Sequence, residues 1–219
     1  VVDSHEKGYG NISVAKAFEK SSNVGITQIT RRAFRGDPQK GEIRHKDTII
    51  NGKKYWVEVD TKLEKFKKYV KQMGLCMMTG IDLLHEPAPE LLEKITREDL
   101  VAIAFGYYAR LTPLQMLAFY NAVANNGCYM KPKIVKEIRN GVFVYKNRPE
   151  IMIKQICSEG TLKKVKNLLE GVVQRGTARV IRKAPYKIAG KTGTAKIYDV
   201  SVGDYVNRYV ASFCGYFPA

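Results

Sequence analysis

Apolar residues mark three helical stretches of the chain. Leu63, Phe66, Val70 and Met73 form one stripe on the lysine-rich residues 62–71, which leaves the lysines facing solvent and stops at Gly74, a glycine suited to end a helix. Leu114, Met116, Leu117 and Phe119 belong to a second helix, capped by Thr112, opened by Pro113 and running towards Gly127; its few polar positions predict burial. Leu162, Val165, Leu168, Leu169 and Val172 mark a third, capped by Ser158 and fraying near Gly176. Near the start, Ser13 caps a short helix, Ser21-Ser22-Asn23 is a turn, and Asn23 is read as the cap of the next helix.

Between these helices the pattern changes to strands. Thr48-Ile49-Ile50 and Lys53-Lys54-Tyr55-Trp56-Val57-Glu58-Val59 flank Asn51-Gly52, a type I′ turn signal, so residues 35–60 are read as a protruding β-hairpin insertion. Residues 129–139 and 142–146 flank Asn140-Gly141 in the same way. Residues 186–189 and 209–213 read as two strands joined by a polar loop around Asp199, Gly203 and Asp204. The fold class is therefore α+β and rich in helix.

With 219 residues and 45% hydrophobic positions, the chain is long enough for a single core without disulfide staples. Residues 111–130 carry no charge, but Pro113, Asn121, Asn125, Asn126 and Gly127 interrupt them, so no stretch reaches the ~20 apolar residues that cross a bilayer. The first five residues have no initiator methionine and no basic or apolar leader, and the chain stops in strand-like sequence; both ends read as cut.

Lys and Arg total 37 against 21 Asp and Glu, a formal charge of +16, which admits anionic partners. The basic residues are scattered rather than set beside a stacking strand, so nucleic acid is not the expected partner. Cys76, Cys128, Cys157 and Cys214 lie 52, 29 and 57 residues apart with no paired spacing and no histidine nearby, so no metal or cofactor is expected; their apolar neighbours suit small buried side chains.

The chemistry-bearing residues are Lys191-Thr192-Gly193-Thr194, placed at the end of the strand 186–189. On a sheet edge, a lysine and two hydroxyls can face a carboxylate, Gly193 admits a ligand backbone, and the Thr194 N–H can meet an oxyanion. Gly190-Lys191-Thr192 also looks like the end of a phosphate-binding loop, but that needs glycine at position 185, which is Pro185. Ser21 and Asn23 form Ser-x-Asn, a hydroxyl and a carboxamide on one tight turn, weak alone because either can simply cap a helix.

Ser-x-Asn followed downstream by Lys-Thr-Gly-Thr resembles the second and third signatures of the penicillin-recognising serine acyl transferases, whose first is Ser-x-x-Lys. The strings at residues 17–25, 111–115 and 189–196 resemble the transpeptidase domain of class B penicillin-binding proteins, the cell-division type above all. The likeness departs at residues 34–60 and at residues 105–110, where the family carries more glycine. It implies an antiparallel sheet flanked by helices, and it makes residues 1–219 part of a transpeptidase domain incomplete at both ends.

By the same resemblance, Ser21 shuttles a proton to or from the leaving amine, and Asn23 holds the substrate amide. Lys191 supplies positive potential, while Thr192, Gly193 and Thr194 bind the terminal carboxylate of D-Ala-D-Ala or of a β-lactam. The partners implied are peptidoglycan stem peptides, β-lactam antibiotics and division or elongation proteins, on the extracytoplasmic side of the membrane through an anchor outside these residues. Ser4-x-x-Lys7 and Ser13-x-x-Lys16 both fit the first signature locally but stand too close to Ser21, so the nucleophile is expected upstream of Val1 and the fragment alone is expected to be inactive. A β-lactamase-like or β-lactam-sensing domain shares these signatures, although Thr112-Pro113-Leu114-Gln115 favours the transpeptidase. A basic nucleic-acid or glycan module would explain the charge and leave the motifs idle.

Overall fold

The structure, a computed structural model, describes residues 8–34, 43–50, 53–90, 95–96 and 99–219. In chain order the elements are α1 (Val14–Glu19), α2 (Asn23–Phe34), β1 (Ile43–Ile50), β2 (Lys53–Asp60), α3 (Thr61–Gln72), α4 (Asp99–Ala104) and α5 (Pro113–Ala124). There follow β3 (Tyr129–Met130), β4 (Glu137–Asn140), β5 (Phe143–Lys146), β6 (Ile151–Ile153), α6 (Glu159–Gln174), a 3₁₀ turn at Arg179–Ile181, β7 (Ala189–Asp199) and β8 (Asp204–Tyr216). Mixed helix and antiparallel strand is the class expected.

α6 is the hub. Its N-cap Ser158 accepts the Thr161 N–H, and its apolar stripe buries Leu162, Leu169, Val172 and Val173. Leu162 and Leu169 join Ala118, Ala122 and Val123 of α5, Tyr129, Ile156 and Ala189 in the main core, while Val172 and Val173 close a second cluster with Ala178, Phe18 and Ile188. α6 also packs on β7, and α5 on β8, so the β7–β8 hairpin is held by helices on both strands. α5 carries a full capping box, Thr112 accepting the Gln115 N–H at 3.1 Å and the Gln115 side chain accepting the Thr112 N–H at 2.8 Å. Its burial is one-sided, because Leu117 remains exposed.

Several sequence expectations need correction. Ser22, not Asn23, caps α2: the Gly25 N–H donates to Ser22 Oγ at 3.0 Å, and Asn23 is the first helical residue. Two adjacent cap-forming side chains look alike in sequence, and the close approach of Gly25 to Ala17 selects the first. Residues 129–139 are not one strand; β3 pairs with β6 and β4 with β5. The turn of the latter hairpin is centred on Gly141 and Val142, with Gly141 at φ 59° in the first central position, the type II′ arrangement. The four cysteines are free and half-buried rather than buried. Burial pushes the thiols of Cys76, Cys157 and Cys214 above their ordinary pKa, which keeps them protonated and unreactive.

β1 and β2 pair antiparallel from Ile43–Asp60 to Ile50–Lys53, as a hairpin requires; the Asn51-Gly52 turn itself lies outside the described residues. At residues 105–110, Gly106 and Tyr108 take φ 103° and 60°. Tyr108 thus adopts a left-handed conformation that glycine would hold without strain. Among the described residues, no helix is long and apolar enough to cross a membrane.

Candidate active site

The Lys-Thr-Gly-Thr strand is offset from its expected place. β7 begins at Ala189, so Lys191 to Thr194 lie near the start of an eleven-residue strand and not at the end of one. Residues 186–188 lie outside it, although the Lys187 carbonyl still accepts the Ala219 N–H at 3.1 Å; Tyr186 stacks on Phe217 with ring centroids 4.6 Å apart. β8 pairs with one edge of β7, in the register Lys191–Cys214, Thr192–Phe213, Gly193–Ser212 and Thr194–Ala211. Among the described strands, none pairs with the other edge.

The turn between α1 and α2 comes to this strand. Ser21 sits there at φ 54°, a left-handed conformation that a serine holds only under constraint. Its Oγ accepts a hydrogen bond from Lys191 Nζ at 2.8 Å, across 170 positions of sequence. Lys191 Nζ donates a second bond to the Thr192 carbonyl at 2.9 Å. Burial alone, with no charged partner among its causes, lowers the Lys191 pKa from 10.5 to about 8. A cation held in partial desolvation, with two neutral acceptors and, among the described residues, no carboxylate partner, is available to an anionic ligand.

Because Lys191 donates to Ser21 Oγ, the Ser21 hydroxyl proton is directed elsewhere, and the pair can pass a proton between a substrate atom and the lysine. Asn23 stands two residues on, in the first turn of α2; among the described residues it makes no hydrogen bond to Ser21 or Lys191. Thr192 is half-buried and its Oγ1 lies 2.6 Å from Thr177 Oγ1. Thr194 is exposed on the same strand face. At Gly193, a Cβ would come within 2.6 Å of Ser212 Oγ, so the space its missing side chain leaves belongs to Ser212 of the partner strand.

Two features near these residues escaped sequence reading. Thr177, the partner of Thr192, follows α6 in Gly176-Thr177-Ala178, where only the glycine hints at close packing. Glu19, 5% exposed, meets Arg175 across 156 positions. Ser13 accepts the Lys16 N–H as the α1 N-cap and faces solvent, which suits a cap and not a nucleophile; Ser4 lies outside the described residues. A hollow of about 620 Å³ beside α5, lined by Leu114, Leu117, Asn121 and Met130 among others, shares no residue with the Ser21–Lys191 pair.

The family described as penicillin binding protein transpeptidase domain matches residues 2–219. The stage V sporulation protein D of Bacillus subtilis is 37% identical over 171 residues, which cover 75% of this chain and 26% of that protein. The peptidoglycan D,D-transpeptidase MrdA of Acinetobacter baumannii is 27% identical over 197 residues, 80% of this chain and 29% of that protein. The chain thus spans about a quarter of the length of the curated relatives it matches. Among solved structures, penicillin-binding protein 3 of Mycobacterium tuberculosis in complex with aztreonam superposes with a TM-score of 0.76 at 26% identity, covering 98% of this chain and 44% of the other. Fold, motif order and extent of match agree: the chain belongs to the transpeptidase domain family of penicillin-binding proteins.

Proposed function

We propose that this chain is part of a peptidoglycan D,D-transpeptidase domain, one that cross-links stem peptides through a serine acyl-enzyme and is acylated by β-lactams. The observation that carries the reading is the 2.8 Å bond between Lys191 and Ser21, which brings the two motifs of the family together. In the reaction, the serine nucleophile attacks the D-alanyl carbonyl, the C–N bond breaks, and the departing D-alanine amine takes a proton. Ser21 is suited to deliver that proton, drawing on Lys191 behind it. Asn23 holds the substrate amide from the same turn. Thr192 and Thr194 bind the terminal carboxylate, with Lys191 supplying the potential, and Gly193 keeps the strand closely packed between them. The unpaired edge of β7 suits a peptide adding in extended form, with the Thr194 N–H at the oxyanion.

The nucleophile of this proposal, with its Ser-x-x-Lys lysine, stands before residue 1, and β1–β2 belongs to a hairpin insertion at about residues 35–60. The parent protein works outside the cytoplasmic membrane, anchored by a segment beyond these residues, with division or elongation proteins as partners.

Incubation with labelled penicillin, followed by intact-mass measurement, tests the reading. The 219-residue chain is expected to gain no mass, and the chain extended upstream through Ser-x-x-Lys to gain one β-lactam. An adduct on the 219 residues that Ser13→Ala removes would place the nucleophile inside this chain. No adduct on either form would refute the transpeptidase reading itself.

A further inference from the structure

Resting on that reading, we propose that Glu19 and Arg175 are positioning residues for the Ser21–Lys191 pair, and that the end of α6 is a strut between the Ser21 turn and β7. Ser21 holds a left-handed conformation, which persists only where the surroundings impose it. Two residues before it, the nearly buried Glu19 carboxylate is gripped by Arg175, Nη2 on Oε1 at 2.5 Å and Nε on Oε2 at 3.4 Å. The Glu19 main-chain carbonyl accepts the Thr177 N–H at 3.1 Å. Residues 175–177 therefore hold Glu19 twice, by side chain and by backbone. The same segment reaches β7 through the Thr177–Thr192 hydroxyl pair, one residue from Lys191.

Two glycines make room for this arrangement. A Cβ at Gly171 would lie 2.3 Å from Glu19 Oε1, and one at Gly176 would lie 2.3 Å from the Glu19 carbonyl oxygen. The Arg175 side chain is 65% exposed and that of Glu19 7%, so the desolvation cost falls on the carboxylate. An apolar side chain of similar volume would fill the same space without that cost. What the ion pair adds is direction: it fixes the rotation and distance of the α1 end relative to α6, and with them the approach of Ser21 Oγ to Lys191.

Arg175→Ala and Arg175→Lys in the 219-residue chain, and in its upstream-extended form, test the strut. Arg175→Ala is expected to let water reach Lys191, moving its midpoint, read from the side-chain carbon shifts by NMR, upward from about 8 by about one pH unit. In the extended form the acylation step should slow about tenfold with half-saturation unchanged. Arg175→Lys should recover part of both. Should Arg175→Ala not fold, Glu19→Gln, which removes the charge and keeps the shape, takes its place with the same two readouts. A lower melting temperature with the Lys191 midpoint and acylation step unmoved would overturn the proposal and leave the ion pair merely structural. Failure of the wild-type extended chain to take penicillin would instead count against the transpeptidase reading, and the Lys191 titration would still judge the strut.

Discussion

Lys191→Met is expected to make the folded chain more stable at pH 7 while removing most of the β-lactam reactivity of the upstream-extended form. Burial lowers the Lys191 pKa to about 8, so at pH 7 the side chain is charged in both folded and unfolded states, and the folded state carries the desolvation cost. Methionine keeps the stem and drops the charge. Allowing for the solvent that still reaches this lysine, the relief is about 1 kcal/mol, or about 2–4 °C in melting temperature for a chain of this size. The pH dependence has a definite sign. Between about 8 and 10.5 the unfolded lysine binds more protons than the folded one, so wild-type stability rises with pH through that window and the advantage of methionine shrinks. Reactivity moves the other way. If Lys191 supplies the positive potential proposed for the substrate carboxylate, loss of that preorganised cation should lower acylation by about 10²–10³-fold. Melting curves from pH 6 to 10.5 and acylation rates check both halves; a methionine variant that is less stable at pH 7 would show that Lys191 is paired rather than desolvated.

Gly190→Ala is expected to cost about 1–3 kcal/mol, a fall of roughly 3–10 °C in melting temperature, and to slow acylation of the upstream-extended form with it. Gly190 faces Gly215 across the β7–β8 ladder, one residue before Lys191. A Cβ there would stand 2.4 Å from Phe213 Cζ, 2.6 Å from the Cys214 carbonyl oxygen and 2.9 Å from the Gly215 Cα. The phenyl ring can turn away, but the two backbone atoms cannot, so the strands must part where Lys191 leaves the sheet. Gly203→Ala at the tip of the same hairpin is the control. Its φ of 73° also disfavours alanine, but a Cβ there meets nothing within 4 Å, so its cost should stay near 1 kcal/mol with acylation unchanged. Differential scanning calorimetry and penicillin labelling separate the two; full labelling and wild-type stability in Gly190→Ala would remove hairpin packing as the device that places Lys191.

The sequence was most legible where local chemistry decides the outcome. Ser158, Thr112-Pro113 and Gly74 each mark a helix boundary that depends on neighbours within four residues, and α6, α5 and α3 start or stop there. Legibility failed where a distant partner chooses. Ser22 and Asn23 are equally good caps until α1 packs against Gly25. Tyr186, Lys187 and Ile188 look like strand in sequence but lie outside β7, where Tyr186 stacks on the distant Phe217. At the site, the two motifs could be picked out by residue type and order, and nothing local connected them. The 2.8 Å contact between them joins residues 170 positions apart, which only the tertiary fold brings together. Glu19 reads as an ordinary polar residue of a short helix, because its partner Arg175 lies 156 positions away.

The proposed proton transfer requires Ser21 and Lys191 to act as one unit. A double-mutant cycle on the acylation rate of the upstream-extended chain, with wild type, Ser21→Ala, Lys191→Met and the double variant, measures this directly. If Ser21 passes its proton through Lys191, each single change should lower the rate by about 10² or more, and the double variant should be little slower than the worse single. Losses that multiply in the double variant would mean that the two residues act independently, and would contradict the account.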